Sequence, residues 1–312
     1  MISMRYHIVS LAAVFLALAL GIVLGATKIS SPILGGLQSE TTTLSAEKDE
    51  LTTENASLAQ RVTGDETFAG SVANLAVRGT LPDSTVVLLT TSDADPSDRD
   101  AILSLLARSG AKVTAQIQLT AAFTDPSRSS ELASLASRSL PAGAKLPEST
   151  DTGAIAGGLL GSVLLTDKDG KATVKAEEAT AALSAFASAG FLQTTGTVTA
   201  GRLVVLLTGA PATGGVETDK ATLLADFAAQ LKSSSGGVVL AGRQGSETAD
   251  GAVGAVRADT AASSLVTTVD NVDTASGRLA TVLGLVEQNG GGVGRYGFAG
   301  NAQAQIPALA VG

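Results

Sequence analysis

The sequence predicts an α/β protein in three parts: an N-terminal transmembrane helix, a coiled-coil stalk, and an exported, Rossmann-like open parallel sheet with covering helices. Three observations carry this prediction: an uncharged apolar run from Ile8 to Thr27, leucines at seven-residue intervals from Leu37 to Leu58, and a strand, helix, strand order that occurs twice beyond Leu81. The expected boundaries are 1–7 for a cytoplasmic tail, 8–27 for the transmembrane helix, 34–64 for the coiled coil, 81–298 for the exported α/β domain and 299–312 for a flexible tail.

The apolar run comes first. Its length as a helix is about 30 Å at ~1.5 Å per residue, the thickness of a bilayer's hydrocarbon core. A cleaved secretory signal is the rival reading, with "ALA" at Ala17 to Ala19 and "LGA" ending at Ala26 as loose cleavage sites. The run continues through Gly21, Ile22, Val23 and Leu24, and Leu24 sits where a cleavage site wants a small residue, so retention is favoured. Gly21 and Gly25 form a G-x-x-x-G that permits close packing of membrane helices. A short tail with Arg5 and no acidic group places the N-terminus in the cytoplasm and the main domain outside. The chain has no cysteine, which is compatible with export and with cytosol alike, so the compartment follows from the helix.

Leu37, Leu44, Leu51 and Leu58 then hold one stripe of a helix at heptad spacing. With those leucines at d, the a positions are Leu34, Thr41, Lys48, Asn55 and Val62, so the middle of the seam is polar. A polar a residue such as Asn55 costs stability while fixing register and strand number. Glu40, Glu47 and Glu54 at g face no basic e residue, so a homodimer gains no interhelical ion pairs. The segment reads either as a lone solvated stalk or as a helix that pairs with itself or with another envelope protein, and Gly64 is expected to end it.

Beyond Leu81 the hydrophobic period changes. "VVLLTT" (Val86 to Thr91) reads as a buried strand, "RDAILSLLARSG" as a helix closed by Gly110, and "KVTAQIQL" as a second strand. The order returns in "VVLLTG" (Val204 to Gly209), "KATLLADFAAQLK" and "VVLAG", implying parallel pairing. Helical candidates lie around Glu131 to Arg138, Ala154 to Leu165 and Val174 to Ala189, and "SLVTTVD" with "GRLATVLGLVEQ" adds a last strand and helix. With 3% aromatic residues, the core must be built from small aliphatics.

Composition excludes much chemistry. The single histidine, His7, lies on the cytoplasmic side of the anchor, so no serine, cysteine or zinc mechanism that needs imidazole can operate in the exported domain. No paired-acid motif with convincing context supports an enzyme using carboxylates alone, and the chain is read as a non-enzyme without a cofactor. Soft-metal ligands are equally scarce: Met1, Met4 and His7 form a small cluster at the cytoplasmic mouth, read as a start residue with two incidental neighbours. The net charge of −8 disfavours nucleic acid and anionic lipid as partners. "GGVGRYG" holds a G-x-G-x-x-G at Gly292, Gly294 and Gly297, but it follows a helix instead of opening one and reads as a flexible turn.

Open α/β sheets bind ligands beyond the carboxyl ends of their strands. Three loops are expected there: "TSDADPSD" with Asp93 and Asp95, "GAPATGG" with Gly214 and Gly215, and "AGRQGSE" with Arg243. Helix capping by the acids and tight turning by the glycines is the structural reading of the same residues. Arg243, the one cation among these loops, is the first candidate for a ligand contact.

The opening "MISMRYHIVSLAAVFLALALGIVLG", the leucine-spaced helix, "LAGRQGS" and the closing "TTVDNVDTASGRLATVLGLVEQNGGGVGRYG" together resemble the actinobacterial copper transport protein B family of mycobacterial copper transporter type. That resemblance implies a cell-envelope protein linked to copper efflux or homeostasis, described for the family as a pore-forming outer membrane component, with copper as a possible partner. It places no metal-ligand motif on numbered residues of this chain. One apolar helix with an α/β domain contains no closed set of membrane-spanning strands, so a pore would require an oligomer of that helix. The alternative reading is a coiled-coil envelope scaffold that binds and regulates partner proteins such as cell-wall hydrolases at the division site.

Overall fold

A computed structural model of the chain describes residues 4–167, 169–211 and 215–308, with the side chains of 26–35 excepted. It divides into two units, Met1–Asp65 and Glu66–Gly312.

The first unit is helical, formed by the N-terminal part of α1 (Met4–Ala76). Met4–Gly25 within it has a mean hydropathy of 2.7 and is long and apolar enough to cross a membrane. Leu37, Leu44, Leu51 and Leu58 stay exposed on it. The helix does not stop at Gly64, as expected from the sequence, but runs on to Ala76. An exposed mid-helix glycine costs only about 1 kcal/mol. The turns beyond it lie in the second unit, where Ala73 and Val77 are buried, and that burial outweighs the cost.

The second unit is a mixed α/β fold around a seven-stranded sheet. In chain order its strands are β1 (Thr85–Thr90), β2 (Lys112–Leu119), β3 (Leu192–Thr195), β4 (Leu203–Thr208), β5 (Gly237–Gly242), β6 (Thr267–Val269) and β7 (Arg295–Tyr296). Their spatial order is β3-β2-β1-β4-β5-β6-β7, parallel throughout except for the edge strand β3. The sheet is therefore mixed, not all parallel. The reason is local: after α5 (Ala176–Ser188) the chain turns at Gly190, whose φ is +79°, and Leu192–Thr195 runs back along β2 without a crossover. The exposed "QTT" of this strand shows no alternation that would mark it in the sequence.

Continuous apolar strands are explained by two cores. Val87 and Leu89 point into one, Val86 and Leu88 into the other, so the period-two pleat leaves neither face of β1 polar. The first face carries α3 (Ser129–Arg138), α4 (Thr152–Leu164), α5, α6 (Glu217–Ser233), α7 (Ala252–Ala258) and the single turn α8 (Thr260–Ser263). Phe123 and Phe227 meet edge-to-face there, with ring centroids 5.2 Å apart. The second face carries α2 (Pro96–Ser109), α9 (Ala275–Asn289) and the end of α1.

Helix α4 explains its own composition. Gly153, Gly157 and Gly161 form one stripe against α6, and a Cβ on Gly157 would lie 2.9 Å from the Phe227 carbonyl oxygen. Only glycine lets the two backbones approach this closely. Helix α2 begins at Asp95, which accepts a bond from the Ser97 amide, continues with Pro96 in its first turn and ends at Gly110 with φ +87°.

The "GGVGRYG" segment is not a flexible turn, because its Arg295 and Tyr296 form the edge strand β7 beside β6. Of the expected tail 299–312, the described part folds back: the Gln303 amide donates to the Arg295 carbonyl at 2.8 Å, and Ile306 packs against the second core. Residues 309–312 lie outside the described residues.

Candidate functional site

The order of the strands reverses at β1, which pairs with β2 on one side and β4 on the other. Loops leaving the carboxyl ends of β1 and β4 consequently diverge, which is where open parallel sheets form ligand crevices. A cavity of about 170 Å³ occupies this place, lined by Asp93, Thr208, Gly209, Lys220 and Asp250 among others. Gly209 is obligatory: a side chain there would collide with the Asp93 carbonyl oxygen and come within 2.8 Å of its carboxylate. The cavity falls below the ~300–1,000 Å³ usual for a small-molecule pocket.

Of the candidates read from sequence, Asp93 lines this cavity, while Asp95 and Arg243 are brought together beside it. Arg243 Nη2 lies 2.9 Å from Asp95 Oδ2, and its Nε donates to Asp98 Oδ2 at 2.7 Å. Asp98 Oδ1 accepts from Arg278 Nη2 at 2.8 Å, so one carboxylate with 3% side-chain exposure bridges two guanidiniums. Arg278 also donates to the Val272 carbonyl from Nε (3.0 Å) and to the Asp273 carbonyl from Nη2 (3.1 Å). The arrangement clips α2, the β5 loop and the start of α9 together. The Ser97 hydroxyl and amide hold the Asp95 carboxyl below its ordinary range, with the charges of Arg243 and Arg278 adding to the effect. Arg243 is raised above its usual value, first by its bond to Asp98. Gly215 is exposed with open space about it, and Gly214 lies outside the described residues.

Sequence reasoning missed Asp98 and Arg278, because a helix-borne acid and base separated by 180 residues leave no local signature. It also missed the pair Arg257–Asp270, joined at 2.7 Å with both side chains 2% exposed. Asp270 accepts in addition from the amides of Phe298 (2.8 Å) and Ala299 (3.4 Å). Arg257 donates to Thr268 Oγ1, Asn301 Oδ1 and the Tyr296 carbonyl. Burial pulls Arg257 below its ordinary value and the bond to Asp270 pushes back. The one available signal was "TTVD", an acid directly after a strand.

In the first unit, the Asn55 amide donates to the Leu51 carbonyl of its own helix at 2.9 Å. A Cβ on Gly21 or Gly25 would meet nothing within 4 Å. Among the described residues no three His, Cys, Asp or Glu side chains are grouped so as to hold a metal ion.

Fold and site thus define a mixed α/β protein with one N-terminal helix apolar enough to cross a bilayer and ion pairs that join α2, the loop after β5 and α9. The chain belongs to the family described as "Copper transport outer membrane protein, MctB", which matches residues 1–307. It is similar to the protein named "Copper transporter MctB" of Mycobacterium tuberculosis (strain ATCC 25618 / H37Rv), 37% identical over 306 residues covering 95% of this chain and 96% of that one. The protein of the same name from Mycobacterium leprae (strain TN) is 34% identical over 308 residues, with 95% and 96% covered.

Proposed function

We propose that this chain is a non-enzymatic, membrane-anchored envelope protein serving copper transport and homeostasis. Its helix Met4–Gly25 lies in the bilayer, its first residues in the cytoplasm and its α/β unit outside. Copper is cargo in this reading, not a resident cofactor. The observation that carries the proposal is the family match from residue 1 to residue 307, which takes in the apolar helix as well as the α/β unit. The α/β unit acts as a Rossmann-like interaction body and the segment 34–64 as a coiled coil. Four exposed leucines at seven-residue spacing support that self-association, and they equally favour a second reading, a scaffold that recruits and regulates cell-wall hydrolases through the same stripe.

The test is complementation of a strain lacking this chain. The full chain is expected to restore growth on copper, and a version without residues 8–27 to be made but not to restore it. Unchanged copper tolerance in the deletion strain would remove the copper reading and leave the scaffold. Full rescue by the shortened version would remove the anchor.

A further inference from the structure

The last turns of α1, residues 66–76, belong to the second unit and have two unlike faces. One is taken by the α/β body. Glu66 Oε2 accepts from the Ala275 amide at 2.6 Å, a Cβ on Gly70 would touch the Ala275 Cβ at 3.9 Å, and Ala73 is buried. The other face carries Phe68, Val72 and Leu75, which are 71%, 38% and 67% exposed. At about 100° of rotation per residue, Val72 and Leu75 lie within about 40° of Phe68, whereas Glu66, Gly70 and Ala73 lie about 140–200° round from it. The body therefore leaves this apolar face free. Counted on in the seven-residue frame of Leu37, Leu44, Leu51 and Leu58, Val72 falls at d and Phe68 and Leu75 at g. Asp65 at d separates them from Leu58, and Ala69 and Ala76 at a are small and half-buried, so the free stripe is d with g.

We propose that the face formed by Phe68, Val72 and Leu75 docks against the same face of a second copy of this chain, parallel and in register. The inference rests on the self-association of segment 34–64 proposed above and carries the seam past Gly64. What selects a second copy is the change at g. Before Gly64 that position is charged throughout, with Glu40, Glu47, Glu54 and Arg61. After it the position turns apolar, in the same turns where Glu66 and Ala73 at e are covered by the body. In a parallel pair, g of one helix faces e of the other. A g residue opposite a solvated e is suited by charge, and one opposite an e set into a folded body is suited by an apolar side chain. The switch is thus the one that an identical partner, whose own e is covered at the same height, requires. Two turns of contact do not offset the freedom that two chains lose on association, so this face extends the stalk's seam and does not replace it.

The chain has no cysteine, so single cysteines report the pairing directly. Leu51→Cys, Val72→Cys and Thr67→Cys are placed in the full chain, and two differently tagged copies of each are co-expressed in membranes. Disulfides formed with diamide are then followed on non-reducing gels probed for both tags. Equivalent d residues of a parallel pair come within reach of a disulfide, whereas Thr67 stands at f. Leu51→Cys and Val72→Cys are each expected to join the two tags roughly fivefold faster than Thr67→Cys, or more. Adding Phe68→Ser and Leu75→Ser should slow Val72→Cys by about threefold or more and leave Leu51→Cys unchanged. Fast joining at Leu51→Cys with Val72→Cys below that fivefold margin overturns this face and leaves the stalk's self-association standing. Slow joining at both positions removes that self-association and this face with it. Fast joining at Val72→Cys alone overturns the continuous seam, and a Val72→Cys rate untouched by the two serines overturns the contact. A Val72→Cys disulfide to a different protein, with the two tags left apart, overturns the second copy as occupant.

Discussion

Replacing Asp270 by asparagine removes the negative charge from the most enclosed ion pair among the described residues of the second unit. The partner charge on Arg257 stays behind at 2% side-chain exposure, with its Nη1 facing a neutral amide where a carboxylate oxygen stood 2.7 Å away. Breaking one side of a buried, hydrogen-bonded pair costs about 3–5 kcal/mol. The amides of Phe298 and Ala299, which Asp270 also accepts, lose the charge-assisted part of their bonds. For a domain of this size ~1 kcal/mol corresponds to ~2–4 °C, so the melting temperature should fall by about 6–20 °C.

The assay is guanidinium denaturation of the full chain in detergent, read by tyrosine emission in a Tyr6→Phe background. The chain has two tyrosines and no tryptophan, so Tyr296 then reports alone. It lies in the affected strand, with its hydroxyl donating to the Glu287 carboxylate at 2.8 Å. Adding Arg257→Met to Asp270→Asn removes the uncompensated guanidinium, and the double variant should be more stable than Asp270→Asn alone. A loss below ~1 kcal/mol for Asp270→Asn, or a double variant less stable than the single, would refute the assignment of this pair as an enclosed charge balance.

Two further outcomes follow from the same reasoning. Burial, with the charges of Asp151 and Asp259, raises the Asp226 carboxyl above its ordinary 3.8. Its folded-state proton is held more tightly than in the unfolded chain, so the ionised form is penalised at pH 7 and the penalty fades as pH falls towards 3.8. Asp226→Asn should therefore raise the melting temperature at pH 7, and lose that gain near pH 4. A gain independent of pH between those values refutes it. Changing Leu44 and Leu51 to Asp should abolish the crosslinked species formed by the full chain in membranes, leaving far-UV circular dichroism of the detergent-solubilised protein unchanged. Persistence of that species refutes the coiled-coil seam.

How far the sequence spoke depends on the range over which each signal acts. The apolar run from Ile8 to Thr27 was legible because the pattern is local and long, and it overlaps the apolar stretch Met4–Gly25 of α1. The doubled strand, helix, strand order was legible as well, since Val86–Thr90 and Val204–Thr208 are buried on both faces and carry no polar interruption. The end of helix α2 was legible from Gly110, whereas its first turn, Pro96–Asp98, lay in the segment read as a polar loop. Strand β3 was missed because three of its four residues are exposed and an edge strand has no obligatory pattern. The passage of the helix through Gly64 was missed because it depends on the burial of Ala73 and Val77, a tertiary effect. At the candidate site the loops bearing Asp93 and Arg243 follow β1 and β5, but the partners of Arg243 were not legible. Asp98 reads in the sequence as an ordinary first-turn helix acid, and only folding brings it between Arg243 and Arg278.

The family's description as an outer membrane transport protein poses a physical question that this architecture narrows. A spanning barrel needs strands of about 9–11 residues closed on themselves, with one face meeting lipid. Here the strands run from 2 to 8 residues, the sheet is open between edges β3 and β7, and helices cover both of its faces. A copper path cannot run through such a sheet. Among the described residues the only segment suited to a bilayer is Met4–Gly25, and a single helix encloses no lumen. On the proposed reading, a passage is assembled from several copies of that helix or lent by another protein. Either route asks for association along the first unit, where Gly21 and Gly25 leave room for a neighbouring backbone and Leu37, Leu44, Leu51 and Leu58 stand exposed. Copper tolerance and crosslinking are thereby coupled in the proposed reading: a variant that loses crosslinking and keeps copper tolerance would place the transport path outside this chain's own assembly.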